Sequence, residues 1–445
     1  MTTKLKRCLS LSEIVIYGVG LILGAGIYVL IGSAAGIAGN MLWLSFVLAA
    51  TVASFTAMSY AELAALFPEA GAEYVYVKNA FGWERVAWFF GFIAIVIGFS
   101  TASAVALGFA RYLSLFIPLD QILLAAGLIV TMTAINFWGI KQSARFNAIA
   151  TSIEVGGLLL VVFVGGYFIF KGSFPLANLT ELPPPDSSNL PWLPIVSASA
   201  LIFFAYMGFE DIANIAEEAE NPTKTLPKAF IYALLISTVI YILVAIVVVS
   251  VVPFKELAAA EQPLSLVMSK LIGGVSSEVI ALIALFATAN TVLITLIVCA
   301  RMIYGMAKSN TLPSVLAKVH PKRQTPYVAI LLAGFITIIF LFFRKVEVLA
   351  AISDVGIFIL FFIVNLSNIV LRYRRPDLQR NWRAPLNIGR LPLISVLGVI
   401  SCTLMLFTIN HPVHFGEQQF SAQVVAITIF ALAIPLYFIF NRNKV

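Results

Sequence analysis

Two apolar stretches, Ile14 to Ile37 and Pro194 to Ile215, are interrupted near their middles, the first by Gly24-Ala25-Gly26 and the second by Phe203-Phe204-Ala205-Tyr206-Met207-Gly208. A helix that comes apart at membrane depth leaves main-chain groups costing several kcal/mol each unless they face protein, ligand or water. The N–H groups of Ala25, Gly26 and Ile27 would open the second half-helix of the first stretch, whose positive dipole end suits a carboxylate. The C=O groups of Ile22 and Leu23, and of Phe204, Ala205 and Met207 ahead of Gly208, suit an ammonium. Together they suit a zwitterion. The alternative is that the glycines only let helices pack closely. Two interruptions in corresponding positions of two halves favour a ligand site at the bilayer midplane.

Three acids add chemistry. Glu154 lies in the run IATSIEVGGLLLVVFV, where a bare carboxylate is costly enough to mark function. It can exchange a proton, ligate a sodium ion, or merely hydrogen-bond a neighbouring helix. Glu210 follows the second interruption, where a side-chain acceptor would cap the resumed half-helix. Asp354, near the start of the tenth apolar run, could admit a cationic ligand or form part of a gate. Ser100, Thr101 and Ser103 are candidate polar lining, or equally partners for backbone and neighbouring helices.

The elements that must position these groups are membrane helices. Of 445 residues 61% are hydrophobic and 11% charged, and the mean hydropathy of +0.99 lies outside the soluble range. Apolar runs long enough to cross a hydrocarbon core of roughly 30 Å recur throughout. About twelve are read, at 12–37, 42–67, 86–117, 119–139, 147–170, 194–216, 229–252, 275–307, 326–343, 346–371, 391–409 and 421–440. The first is full length and has no cleavage site, so it is kept as a helix rather than a signal peptide.

The fold class is therefore all-α integral membrane, with an inverted 5+5 repeat, discontinuous helices 1 and 6, and two further C-terminal helices. The segments are a cytoplasmic N-terminus 1–11, a first repeat 12–170, an extracellular loop 171–193, a second repeat 194–371, a basic cytoplasmic loop 372–390, helices 11 and 12 at 391–440 and a cytoplasmic C-terminus 441–445. The net charge of +7 reports topology rather than nucleic acid, since about 22 of 28 Lys and Arg fall inside when the N-terminus is cytoplasmic. Residues 372–392 are read as anchored by anionic lipid headgroups. Cys8, Cys299 and Cys402 imply neither a metal cluster nor a disulfide framework, and His411 and His414 lack further ligands at metal spacing. Asn178-Leu179-Thr180 is a weak match to a glycosylation acceptor.

GVGLILGAGIYVLIG (18–32), YAELAALFPEAGAEYVYVKNAFG (60–82), NFWGIKQSAR (136–145), FFAYMGFEDIANIAEEAENPTKTLPKA (203–229) and YGMAKSNTLP (304–313) resemble the amino acid/polyamine/organocation (APC) superfamily of permeases with the LeuT-type fold. The resemblance implies that Ala25 and Gly26 bind a substrate carboxylate, that Ile22, Phe204 and Met207 bind its ammonium through their carbonyls, that the Phe204 ring is an aromatic gate, and that Glu210 links the site to the inner gate. It also implies that Glu154 stands where proton-coupled members carry a lysine, with Gly20, Asn290 and Thr291 as partners of that site. Here the charge is reversed: Glu154 would carry a proton, or hold sodium with the Gly20 carbonyl and Thr291 hydroxyl.

The expected activity is secondary active import of L-amino acids by alternating access in the plasma or inner membrane, driven by protons. Neutral substrates are expected because the third helix has no acid. No cofactor beyond a coupling proton or sodium ion is expected, and no obligate protein partner; membrane lipid is the only other partner. There is no GxxxxGK[ST] phosphate loop. The alternatives are an ion-independent exchanger of amino acids or polyamines, or a nutrient sensor. A membrane enzyme would need a clustered nucleophile, base or metal set, which the sequence does not offer.

Overall fold

The computed structural model describes residues 9–68, 72–138, 140–183, 190–273, 275–308, 311–321, 323, 325–409, 412–415 and 418–440. Cys8, the tails 1–8 and 441–445, most of the Pro run at 184–189, Lys322 and His411 lie outside the described residues, as do the side chains of Lys141, Arg145 and His414.

The chain enters its first helix through a capping box. The Ser10 hydroxyl accepts from Glu13 N–H while the Glu13 carboxylate accepts from Ser10 N–H, satisfying two otherwise orphaned donors. Helix α1 (Leu11–Ile22) stops at Leu23, and α2 (Gly26–Ala38) resumes the crossing. Crossings two to five are α3 (Leu42–Leu66), α5 (Glu84–Leu113), α6 (Gln121–Trp138) and α7 (Ile140–Phe170), with a short helix α4 (Ala72–Phe81) in the connection after α3. The sixth crossing is α8 (Leu193–Ile202) followed by tight 3-10 turns at Phe203–Tyr206 and Phe209–Glu218. Then come α9 (Pro222–Val251), two loop helices α10 (Phe254–Ala259) and α11 (Pro263–Ile272), and α12 (Val275–Lys308), α13 (Tyr327–Phe340) and α14 (Val346–Arg374). Helices α15 (Leu393–Thr408), α16 (Ala422–Ala431) and α17 (Ala433–Phe440) complete twelve crossings among the described residues. Sequence did not indicate α4, α10 or α11, nor the two antiparallel hairpins, Asn387–Ile388 with Leu391–Pro392 and Pro412–Phe415 with Gln418–Ser421.

The packing carries the inverted repeat. α3 packs most extensively on α9 and α5 on α12, so the second and third crossings of one half each meet their counterparts in the other. α1 packs against 209–218 and α2 against α8. The first part of one broken crossing thus meets the second part of the other, so the two run antiparallel. Small residues make this closeness possible: Ala49, Ala53, Ala57, Ala61 and Ala64 of α3 and Ala229, Ala233 and Ala245 of α9 are all buried. Most residues in the most apolar stretch of α14 are buried, and it forms part of the centre, whereas most in the apolar stretch of α7 are not.

One expectation needs correction. The basic segment 372–392, which begins in the last turn of α14, is not held only at a lipid surface, because two of its arginines are spent inside the protein. Arg372 Nε donates to Glu62 Oε1 at 2.9 Å and its Nη2 to Oε2 at 2.5 Å, Arg380 Nε lies 3.3 Å from Glu62 Oε1, and Ala384 N–H donates to Oε2 at 2.8 Å. Glu62 and Arg372 are 1% and 5% exposed. Away from this core, exposed Asp377 pairs with Arg375, whose hydrogen bond holds its carboxyl below the usual range. Glu62→Ala strands two buried guanidiniums, and removing one partner of a buried pair costs about 3–5 kcal/mol. The expected result is a large drop in the detergent unfolding temperature. A drop no larger than that of an exposed-site alanine would show that the loop is held by something else.

Candidate functional site

The two interruptions touch through their main chains. A Cβ on Gly26 would lie 2.5 Å from Ala205 Cα, so only hydrogen fits there. Gly208 adopts φ +113°, open to glycine alone, and a Cβ on it would lie 3.0 Å from Leu21 O. Each break is thus closed by a glycine against the other.

Released main-chain groups are partly claimed by side chains. Ala25 N–H donates to Thr291 Oγ1 at 3.2 Å, and Thr291 in turn donates to Ala287 O at 3.1 Å. None of the hydrogen bonds among the described residues uses the N–H of Ile27 or Tyr28, so the start of α2 retains donors. On the acceptor side, the Tyr241 hydroxyl from α9 donates to Ile22 O and to Ala205 O, the latter at 2.9 Å. One proton lies between two carbonyls, one from each break. Phe204 O receives Met207 N–H at 3.4 Å. Carbonyls freed at this depth need a donor, and Tyr241 supplies it.

Glu210 caps the resumed half-helix, its Oε2 accepting from Gly208 N–H at 2.9 Å. Phe204 is buried, and the ring contact at this level belongs to its neighbour: Phe203 packs on Phe358 of α14 with centroids 4.5 Å apart.

The residues grouped around Glu154 also converge. A Cβ on Gly20 would meet Thr151 Cγ2 at 2.6 Å, and Thr151 Oγ1 receives Asn290 Nδ2 at 3.4 Å. Glu154 follows Thr151 by three residues on α7, on the same face. It is fully buried, and neither carboxylate oxygen has a hydrogen-bond partner among the described residues; Asn290 Oδ1 is equally bare. Tyr28 of α2 donates to the Glu154 main-chain O at 3.1 Å, and Tyr112 of α5 donates to Tyr28 O at 2.8 Å. Tyr28, Tyr112, Thr151 and Tyr241 escaped the sequence reading. Their one signal was a hydroxyl inside an apolar run, which must find an acceptor.

The sequence that builds this arrangement has relatives. The family model described as Amino acid permease matches residues 9–433. The chain belongs to the amino acid permease family. The permease is 29% identical to the "Branched-chain amino acid permease BcaP" of Bacillus subtilis over 99% of this chain and 94% of that one. It is 28% identical to the "Methylthioribose transporter" of the same organism over 91% and 89%. It is 32% identical to the "Cationic amino acid transporter 4, vacuolar" of Arabidopsis thaliana over 84% of this chain and 64% of that longer one. The permease is accordingly a multi-pass membrane transporter and not an enzyme.

Of the candidate lining residues in this permease, Ser100 donates to Leu349 O at 2.7 Å, Thr101 to Ser353 Oγ at 3.0 Å, and Ser103 to Phe99 O and Thr337 O at 2.7 Å each. All three tie α5 to its neighbours. Asp354 is fully buried, and neither carboxylate oxygen has a partner among the described residues. It stands one turn before Phe358, on the face of α14 turned towards the second break.

Proposed function

We propose that the permease imports neutral L-amino acids with protons by alternating access across a plasma or inner membrane, with both termini cytoplasmic. The observation carrying this reading is the apposition of the two breaks: α2 opens with uncommitted N–H groups, and the carbonyls of Ile22 and Ala205 converge on one hydroxyl. A carboxylate fits the first and an ammonium the second, displacing Tyr241 as donor. Gly26 and Ile27 with Phe204, Met207 and Gly208 complete the cradle, Ala25 N–H joining it once Thr291 gives it up, and the side chain of the amino acid extends beyond it.

Coupling is assigned to Glu154 with Gly20, Thr151, Asn290 and Thr291. An ionised carboxylate there has no ion-pair partner among the described residues, whereas a neutral acid is far less costly to bury. Exchange of one proton per cycle is thus the reading its surroundings favour. The Phe204 ring and Glu210 keep their gating roles in this scheme. The long match to a branched-chain permease supports a neutral substrate. Asp354 favours a second reading, a cationic side chain held by that carboxylate.

Labelled leucine and lysine uptake into proteoliposomes tests both. A gradient of one pH unit supports accumulation of up to about tenfold per proton. Leucine accumulation following the pH gradient is expected. Lysine accumulation without leucine uptake would establish the second reading, and indifference to proton and sodium gradients would reject coupling.

A further inference from the structure

Beneath the breaks, on the side of the connection that carries Lys78 and Arg85, a second set of ionisable groups is buried. Glu73 of α4 and Glu210 are 9% and 8% exposed. The Tyr60 hydroxyl of α3 donates to Glu73 Oε1 at 2.9 Å, and the Tyr60 ring meets Phe209, next to Glu210, edge-on at 6.0 Å. Tyr76, one turn after Glu73, is fully buried with its ring edge-on to Tyr60 at 6.0 Å, and its hydroxyl has no partner among the described residues. No ion pair among the described residues involves Glu73 or Glu210.

The charged groups on the surrounding elements are committed elsewhere or lie outside. On α3, Glu62 is held by Arg372 and Arg380. On α14, Arg374 donates to Ala80 O. Lys78 of α4 stands over the Tyr74 ring, while Glu84 and Arg85 of α5 and Lys228 of α9 are exposed. Asp211 follows Glu210 directly in the segment Phe209–Glu218.

We propose that Glu73, buried beside Tyr60 below the breaks, takes the proton that the permease delivers to its inner side, making it the inner proton-release site of the cycle, with Glu210 a second buried carboxyl on the same side. This rests on the proton-coupled reading above. A carboxyl enclosed without a paired cation holds its proton because the bare charge is costly to bury, and Glu73 and Glu210 are both so enclosed, linked through Tyr60 and Phe209. α4 packs on α5 and α14, whereas Glu210 rides on the broken sixth crossing, which packs with α1. When α1 and 209–218 swing away to open the inner side, Phe209 and Glu210 leave Tyr60 and Glu73. Glu73 meets water, ionises, and its proton passes to the cytoplasm. The unspent Tyr76 hydroxyl is then a donor for the Glu73 carboxylate. Burial pushes the Glu73 carboxyl above its ordinary range, and a main-chain hydrogen bond and the Tyr60 hydrogen bond oppose it.

The test is sided. Initial leucine uptake into proteoliposomes is measured while inner pH is varied at fixed outer pH, and then the reverse. Wild-type uptake is expected to quicken as inner pH rises, because release becomes easier. Glu73→Gln is expected to lose that inner dependence, keep the outer one, and retain leucine counterflow within about threefold, well below the tenfold that one pKa unit represents. Glu73→Asp is expected to keep an inner dependence with a shifted midpoint, and it carries the test if the Gln variant does not fold. An unchanged inner profile in Glu73→Gln, or an unshifted one in Glu73→Asp where only that variant folds, overturns this proposal alone. A wild type that takes up leucine with no response to pH on either side overturns it together with proton coupling.

Discussion

Glu154→Gln is expected to bind leucine with near wild-type affinity and to lose gradient-driven accumulation entirely. The amide replaces a carboxyl that is fully buried and without a hydrogen-bond partner among the described residues, so the fold loses no bond. Its size is nearly unchanged, and the packing cost should stay below about 1.5 kcal/mol, as for volume-conserving replacements. What disappears is the capacity to gain and lose a proton in a site where a free charge is too costly to leave. With a gradient of one pH unit, wild type should reach up to about tenfold accumulation and the variant should stop at equality. Leucine counterflow, which moves no net proton, should persist. Accumulation at wild-type level would make Glu154 structural and move coupling elsewhere.

Gly26→Val is expected to abolish leucine binding while leaving a folded protein. The new Cβ would fall 2.5 Å from Ala205 Cα, and no rotamer relieves a clash with main chain. The two breaks must separate, at a cost of about 1–3 kcal/mol as for other overpacked sites. The larger effect is on the ligand. Donors at the start of α2 and the acceptors Ile22 O and Ala205 O no longer hold their relative positions, and charged hydrogen bonds worth about 1.5–3 kcal/mol each are lost. The combined loss should exceed about a hundredfold in affinity. Gly127→Val in α6 is the control, since a Cβ there meets no atom of the described residues within 4 Å. Equal behaviour of the two variants would mean that the breaks need no close approach.

The crossings were legible because lipid demands long apolar runs, and the breaks because Gly24 and Gly26, and Gly208 after a run of aromatics, stand where such a run should be uniform. What stayed hidden depends on contacts between distant residues. Tyr241 sits in an unbroken apolar helix, and nothing local reveals that its hydroxyl reaches both Ile22 and Ala205. Glu62 and Arg372 lie 310 residues apart, so a stretch legible as basic could not be read as pinned. α4 is short and lies between two apolar runs, so nothing local marks its Glu73 as buried. Ser100 and Ser103 had two open readings, and only their partners on other helices decided between them.

Main-chain recognition of a zwitterion is tested most directly by competition. Unlabelled leucine, its amide and its 2-oxo acid analogue are titrated against labelled leucine on the purified wild-type permease. The amide lacks the carboxylate that α2 should receive, and the oxo acid lacks the ammonium that Ile22 O and Ala205 O should hold. Each deletion should weaken competition by at least about tenfold, since a hydrogen bond to a charged group contributes about 1.5–3 kcal/mol. Leucinamide or the oxo acid competing as well as leucine would contradict recognition by the unwound backbone.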